Sequence, residues 1–201
     1  MESYFQHYYQ WAESARNICT KENFKIVNFD LLKPEIDSLV SLIQSEEFEV
    51  LFGHHDLQHG NILMNSEGKL MFVDFEYSGA TSIGADIANH FCEWMFDYNL
   101  TDSHIPRTEW APSEEQQRVF IRAYLKARFE KEPTEEEVEK MRVHVHKHHL
   151  LSHMHWLLWG LLEHQLSDID WDYWNYTLYR WALYKELKKE VYGVDALPIM
   201  P

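Results

Sequence analysis

Apolar residues recur every three or four positions along most of this 201-residue chain, the spacing that gathers them on one face of an α-helix. An aromatic-rich opening segment reads as helical to about Cys19, and Pro34 then opens the helical stretch Glu35-Ile-Asp-Ser-Leu-Val-Ser-Leu-Ile-Gln. Residues 1–48 are thus a helical lead-in. The period changes at 50–53 and 62–73, where short apolar runs bounded by glycine and turn residues predict strands. Ser66-Glu67-Gly68 supplies a turn, and the second strand of this hairpin ends on Asp74. From Ala85 onward the pattern is almost wholly helical. Ser113 with Gln116 behind Pro112, and Thr134 with Glu137 behind Pro133, read as capping boxes. The second opens a long helix to about Leu166, with Glu135, Glu136 and Glu137 at the positive end of its dipole. A last aromatic helix spans roughly 171–192. The pattern predicts one mostly α domain with a small β-hairpin, an α+β chain: lead-in 1–48, hairpin 50–76, helical part 84–192.

Composition then limits what such a chain does. It is 45% hydrophobic, 15% aromatic and 25% charged, enough for a sizeable core and too apolar for wholesale disorder. A net charge of −15 and pI near 5.2 argue against nucleic acid as the main partner and favour cationic ligands. Cys19 and Cys92 are not a disulfide framework, which points to a reducing compartment. The opening MESYFQHYYQW has no signal-peptide pattern, and no run of about 18 apolar residues predicts a membrane span. A cytoplasmic protein is expected.

The chemistry concentrates in residues 52–74, FGHHDLQHGNILMNSEGKLMFVD. An alcohol is a weak nucleophile, and a carboxylate beside it can accept its proton while a metal ion spreads phosphate charge. Asp56 is the candidate for that carboxylate. Asn61 offers a neutral oxygen, and Asp74 a hard anionic one suited to Mg²⁺. Glu76, on the same side if the strand continues, is a further metal candidate.

His54/His55-Asp56-Leu-Gln-His-Gly-Asn61 fits H-x-D-x-x-x-x-N, the wider pattern of kinase-like phosphotransferases. With VDFEYSG, then HFCEWMFDY at 90–98, HMHWLLWGLL and IDWDYWNY, the chain from residue 50 closely resembles the choline/ethanolamine kinase family. Aminoglycoside phosphotransferases share the first pattern but lack HFCEWMFDY. The resemblance implies the C-terminal lobe of a protein-kinase-like, aminoglycoside-phosphotransferase-like fold. It also implies ATP and Mg²⁺ as cofactors, choline as substrate with ethanolamine as the alternative, phosphatidylcholine synthesis as the pathway, and a homodimer as the family's habit.

A quaternary ammonium has no N–H to grip, so aromatic faces must hold it. Trp156 and Trp159, three apart on the long helix, share a face, and Trp171, Trp174 and Tyr176 follow on the next segment. On composition alone an aromatic core is the plainer reading. The resemblance assigns the ammonium pocket to Glu93, Tyr98, Trp156, Trp159, Trp171 and Tyr176, and leaves Trp174 and Trp181 as packing. Thirteen histidines include i,i+4 pairs on the long helix, but no HExxH or cysteine pair completes a zinc site. They read as packing or solvated residues, with His90 and His153 orienting neighbours.

None of the seven glycines forms GxGxxG, and no lysine strand precedes the hairpin. Relative to the family, the N-terminal ATP-covering lobe is absent, and the isolated chain is expected to be inactive. Two classes stay open: the catalytic and choline-binding lobe of a choline kinase, or a non-catalytic lobe that binds an ammonium compound without ATP turnover.

Overall fold

A computed structural model describes residues 2–45 and 49–201, the side chains of 2–4 excepted; Met1 and the end of the lead-in at 46–48 lie outside the described residues. These residues group into two compact units. The first takes residues 1–47, 98–106 and 150–201; the second takes 48–97 and 107–149.

In the first unit, α1 (Glu2–Ile18) buries Phe5, Tyr8, Ala12 and Ala15, and α2 (Leu32–Gln44) buries Leu32, Ile36, Leu39 and Ile43. Both sets follow helical spacing, and the two helices pack together. Pro34 does not open α2 but lies in its first turn, where a missing N–H breaks no helical bond. α5 (Glu135–Leu166) contributes its residues from Leu150 to this unit, and α6 (Tyr173–Tyr192) completes it. Asp172 caps α6, its side chain accepting from the Asn175 amide at 3.0 Å, so the helix begins at Tyr173.

A buried polar cluster ties these helices to the C-terminal tail. Glu35 Oε1 accepts from Lys188 Nζ and from the Tyr184 hydroxyl, both at 2.6 Å, and Glu35 Oε2 accepts from the Leu197 amide at 2.9 Å. Lys188 also donates to Ser38 Oγ at 2.9 Å. Trp181, fully buried and stacked on Tyr184, donates to the Met200 carbonyl. Trp174 packs edge-on against Phe24.

The second unit holds both sheets. β1 (Val50–Gly53) pairs antiparallel with β4 (Gly79–Ser82), Val50 opposite Ser82 and Gly53 opposite Gly79. β2 (Ile62–Met64) and β3 (Leu70–Phe72) form the hairpin. The expected second strand is thus shorter than read, and β4 is a strand that alternation did not announce. Asn65 builds the hairpin turn by accepting the Glu67 and Lys69 amides at 3.0 and 2.8 Å. Gly68 follows at φ +79, a left-handed position that favours glycine. Gly53 is required for a different reason, since a Cβ there would meet Thr81 Cγ2 at 2.2 Å and Asp86 Cγ at 2.9 Å.

Behind the strands, α3 (Ile83–Glu93), α4 (Glu114–Phe129) and the N-terminal part of α5 share a core. It joins Ile87, Ala88 and Phe91 to Ile121, Leu125, Val138 and Val145. Both capping boxes form: Ser113 with Gln116, and Thr134 with Glu137. Helix does not run unbroken from Ala85, because residues 94–113 form turns between α3 and α4. Among the described residues no helix is long and apolar enough to cross a membrane.

Candidate active site

The segment 54–61 of the second unit is held open by its own side chains. His54 is buried, its Nε2–H donating to the Val73 carbonyl at 2.9 Å and its Nδ1 accepting the Asp56 amide at 3.3 Å. One ring nitrogen donates and the other accepts, so this imidazole is neutral. It also ties the loop to the residue just before Asp74. Asn61, buried in a short 3₁₀ turn, donates its amide Nδ2 to both Asp56 Oδ2 and the Asp56 carbonyl at 2.9 Å. That fixes the Asp56 carboxylate and turns the Asn61 amide oxygen away from it.

α3 grips this loop from its first turns. Asp86 accepts two successive amides, His54 N at 3.1 Å and His55 N at 2.8 Å. One turn on, Asn89 Nδ2 donates to the His55 carbonyl at 2.8 Å. His90 Nδ1–H donates to the Leu57 carbonyl at 2.8 Å while its Nε2 accepts from the Trp94 indole. His90 therefore orients the loop, as expected. Asp86 and Asn89 were not singled out as working residues. Their signal is present in the sequence: three polar side chains at i, i+3 and i+4 on a helix otherwise committed to the core. His55 and Asp74 adopt φ +65 and +63, left-handed conformations costing roughly 1–2 kcal/mol each for a non-glycine residue. The bonds from Asp86 and Asn89 offset that cost at His55. Removing Asp86 acceptors should therefore free the loop: in Asp86→Ala, amide exchange at His54 and His55 is expected to quicken about 10- to 100-fold, the worth of bonds to a charged acceptor. Unchanged exchange by NMR would deny Asp86 this role.

Asp56 carries the electrostatic signature of the site. Burial pushes its carboxyl up to about 7, helped by the negative charges of Glu93, Asp74 and Glu76 and opposed by the Asn61 bond. Asp74 and Glu76 are exposed. β3 ends at Phe72, and the left-handed Asp74 turns the chain, so the argument that a continuing strand puts Glu76 on the same side as Asp74 fails. What links these residues is their charge on Asp56. The Asn61 amide oxygen and the Asp74 and Glu76 carboxylates are hard oxygen donors, and the excess negative charge felt by Asp56 is what a cation would neutralise. These residues fit Mg²⁺. Among the described residues no three His, Cys, Asp or Glu side chains converge as a metal site of their own.

Glu93 is buried at the end of α3 and, with Leu57, His90 and Trp94, lines a cavity of about 350 Å³. Tyr98 is not on that helix, because the chain tightens into turns after Glu93, and it belongs to the first unit.

In the first unit the aromatic residues do come together. Trp159 meets Trp156 edge-on at 5.2 Å, Tyr176 at 6.0 Å and Trp171 at 6.3 Å between ring centroids. Trp171 lies 5.1 Å from Tyr176, and its indole donates to Ser103 Oγ at 2.8 Å. Tyr173, not foreseen, joins the cluster 4.8 Å from Trp171 and 5.5 Å from Trp159. The rings divide by exposure: Trp156 and Tyr176 are buried, Trp159 and Trp171 half-buried, Tyr98 exposed. On α5 the histidines pack. In the second unit, His148 Nδ1–H donates to the His144 carbonyl at 2.8 Å, and burial, with the His144 charge, pushes its imidazole down to about 3. In the first, His153 is buried.

The choline/ethanolamine kinase family model matches residues 1–185. Probable choline kinase 3 of Arabidopsis thaliana is 36% identical over 175 residues, covering 87% of this chain and 50% of that protein. The human choline/ethanolamine kinase is 38% identical over 176 residues, covering 82% and 45%. The solved choline kinase of Cryptosporidium parvum Iowa II superposes with a TM-score of 0.79 at 29% identity, covering 94% of this chain and 57% of that one. The chain spans about half the length of the curated relatives it matches. With a loop built around Asp56 and Asn61 and a family model covering most of its length, this chain belongs to the choline/ethanolamine kinase family.

Proposed function

We propose that this chain supplies the catalytic and ammonium-binding residues of an ATP-dependent choline kinase, which makes phosphocholine for phosphatidylcholine synthesis in the cytoplasm. The observation that carries this reading is the Asp56–Asn61 pair, a carboxylate fixed by an amide on a loop that Asp86 and Asn89 hold. A carboxylate so held takes the choline hydroxyl proton as the oxygen attacks phosphorus. Asn61, Asp74 and Glu76 would hold Mg²⁺, which when bound would spread the charge of the phosphate oxygens.

The ammonium end falls to aromatic rings and a carboxylate. Trp159, Trp171 and Tyr98 keep surface to offer, whereas the burial of Trp156 and Tyr176 suits a supporting wall. Glu93, a buried carboxylate of the second unit, is the charge that the family resemblance assigns to this end. Choline, with three methyl groups and no N–H, suits ring faces better than ethanolamine, whose three donors need acceptors. Trp159→Ala is expected to weaken choline binding about tenfold by calorimetry, a desolvated cation–π contact contributing roughly 1–2 kcal/mol; equal affinity would return Trp159 to packing.

The hairpin supports a further part of the proposal, that this chain is one lobe. β2 and β3 expose Leu63, Met64, Leu70, Met71 and Phe72, and a two-stranded hairpin covered on neither face is marginal alone. An N-terminal ATP-covering lobe, of the kind longer relatives have room for, would cover them. The chain alone is expected to transfer no phosphoryl group from ATP to choline. Supplied with the N-terminal half of a full-length relative, it is expected to yield phosphocholine, read by phosphorus NMR. Turnover by the chain alone would contradict the lobe reading. Choline binding with no phosphocholine in either assay would favour a non-catalytic ammonium-binding lobe.

A further inference from the structure

Trp171 lies between two helices and in neither, since α5 ends at Leu166 and α6 begins at Tyr173. No helical backbone therefore restricts its side chain, as α5 does for Trp156 and Trp159. The outer torsion of a tryptophan side chain is broad and roughly two-fold, so the ring has more than one direction to choose from. A hydrogen bond makes the choice. The Trp171 indole N–H donates to the Ser103 hydroxyl at 2.8 Å, and Ser103 is buried. The next residue makes a second tie between the same two segments. The His104 ring stands edge-on to Trp171 at 6.2 Å, and its Nε2 lies 3.7 Å from Asp172 Oδ2. Both segments belong to the first unit.

We infer that Ser103 is a positioning residue of the ammonium pocket, its hydroxyl holding the Trp171 ring in the pose that meets a quaternary ammonium. The inference rests on the amino-alcohol reading above. Trp171 is half-buried, so it keeps surface that a ligand reaches without any buried group being uncovered. A cation is held by the π-face of a ring and not by its edge, and the contact therefore depends on how the ring is turned. A half turn about the outer torsion carries the six-membered ring to the opposite side of the Cβ–Cγ bond, and smaller rotations tip the face away. The Ser103 bond opposes both, because either would take the N–H from its acceptor and leave a buried hydroxyl oxygen short of a donor. The segment that carries Ser103 also carries the exposed Tyr98. Residues 98–106 thus supply one ring to the pocket and set the direction of another.

The test reads the ring and the ligand together on the 201-residue chain. In Ser103→Ala the Trp171 indole proton, followed by NMR, is expected to exchange with water about tenfold faster. Choline affinity by calorimetry is expected to fall about three- to tenfold, the worth of one hydrogen bond. Ser103→Thr keeps the hydroxyl and should hold both quantities near the parent values. In a Trp171→Phe background, where no N–H remains to be held, Ser103→Ala is expected to leave choline affinity unchanged. If the alanine variant does not fold, Ser103→Cys, similar in size with a weak sulfur acceptor, is expected to show the same two changes in smaller measure. A purely structural serine would lower the melting temperature and leave choline affinity at the parent value; that result overturns the inference, even if the indole proton exchanges faster. An equal loss of affinity with and without the Trp171 N–H overturns it too. If Trp159→Ala weakens choline binding while Ser103→Ala does not, only this inference fails. If the unsubstituted chain binds no choline, the amino-alcohol reading fails and takes the inference with it.

Discussion

Asp56→Asn, supplied with the N-terminal half of a full-length relative, is expected to transfer no phosphoryl group where the parent does, and the variant chain is expected to be more stable than the parent at alkaline pH. The loss of transfer follows from removing the group that accepts the hydroxyl proton under the proposed mechanism. The gain in stability follows from the environment that poises it. Burial, then the charges of Glu93, Asp74 and Glu76, raise the Asp56 carboxyl from 3.8 to about 7. In the unfolded chain this group ionises near its ordinary value; in the folded chain it keeps its proton until about pH 7. Between those values the unfolded state binds fewer protons, so this group's contribution makes stability fall as pH rises. Below about pH 3 both states are protonated and the penalty vanishes; above about pH 8 it is complete, at most about 4 kcal/mol by the linkage of about 1.4 kcal/mol per pKa unit. Asparagine is neutral throughout and can still accept the Asn61 amide. Urea unfolding of parent and variant should therefore diverge between about pH 4 and pH 7 and stay apart above it. A stability difference that ignores pH would mean the carboxylate is not under this strain, and phosphocholine formation by the variant would remove Asp56 from the chemistry.

That trade between stability and charge also shows what the sequence could carry. The capping boxes at Ser113 and Thr134 were legible because their donors and acceptors lie three residues apart and nothing distant competes. The nearness of Asp56 and Asn61 has a similar local cause, since their bond spans five positions of one loop. The pairing of β1 with β4 was not legible, because Gly79–Ser82 is short and has no alternation to mark it. The left-handed turn at Asp74 was equally silent, aspartate being one of the few residues that enter it without announcing themselves. It changed the reading of Glu76, whose same-side placement had depended on a strand that stops at Phe72. The helical wheel also failed for the aromatic residues. Around Trp156, α5 is apolar on nearly every side, so periodicity could not separate the buried Trp156 from the half-buried Trp159.

The least legible feature has the largest expected effect on the first unit. Glu35 and Lys188 are 153 residues apart and buried together, 2.6 Å between Oε1 and Nζ, and no pattern in the sequence links them. Lys188→Met keeps the length and apolar stem of the side chain but leaves Glu35 as a buried anion. The Tyr184 hydroxyl and Leu197 amide still donate to it; Tyr184 keeps its proton because burial, with the nearby Glu35 charge, raises its pKa well above the ordinary value. Two neutral donors do not replace a cation, and breaking one side of a buried pair costs about 3–5 kcal/mol. Urea unfolding should show a loss of that size. Adding Glu35→Gln to the same chain is expected to restore much of it, because glutamine is neutral and its amide oxygen can still accept from Tyr184 or Leu197. The recovery separates a buried charge left without its counterion from simple loss of packing, which a second substitution would only deepen. A double variant weaker than the single one would mean that Lys188 holds the first unit together through its stem, with its charge incidental.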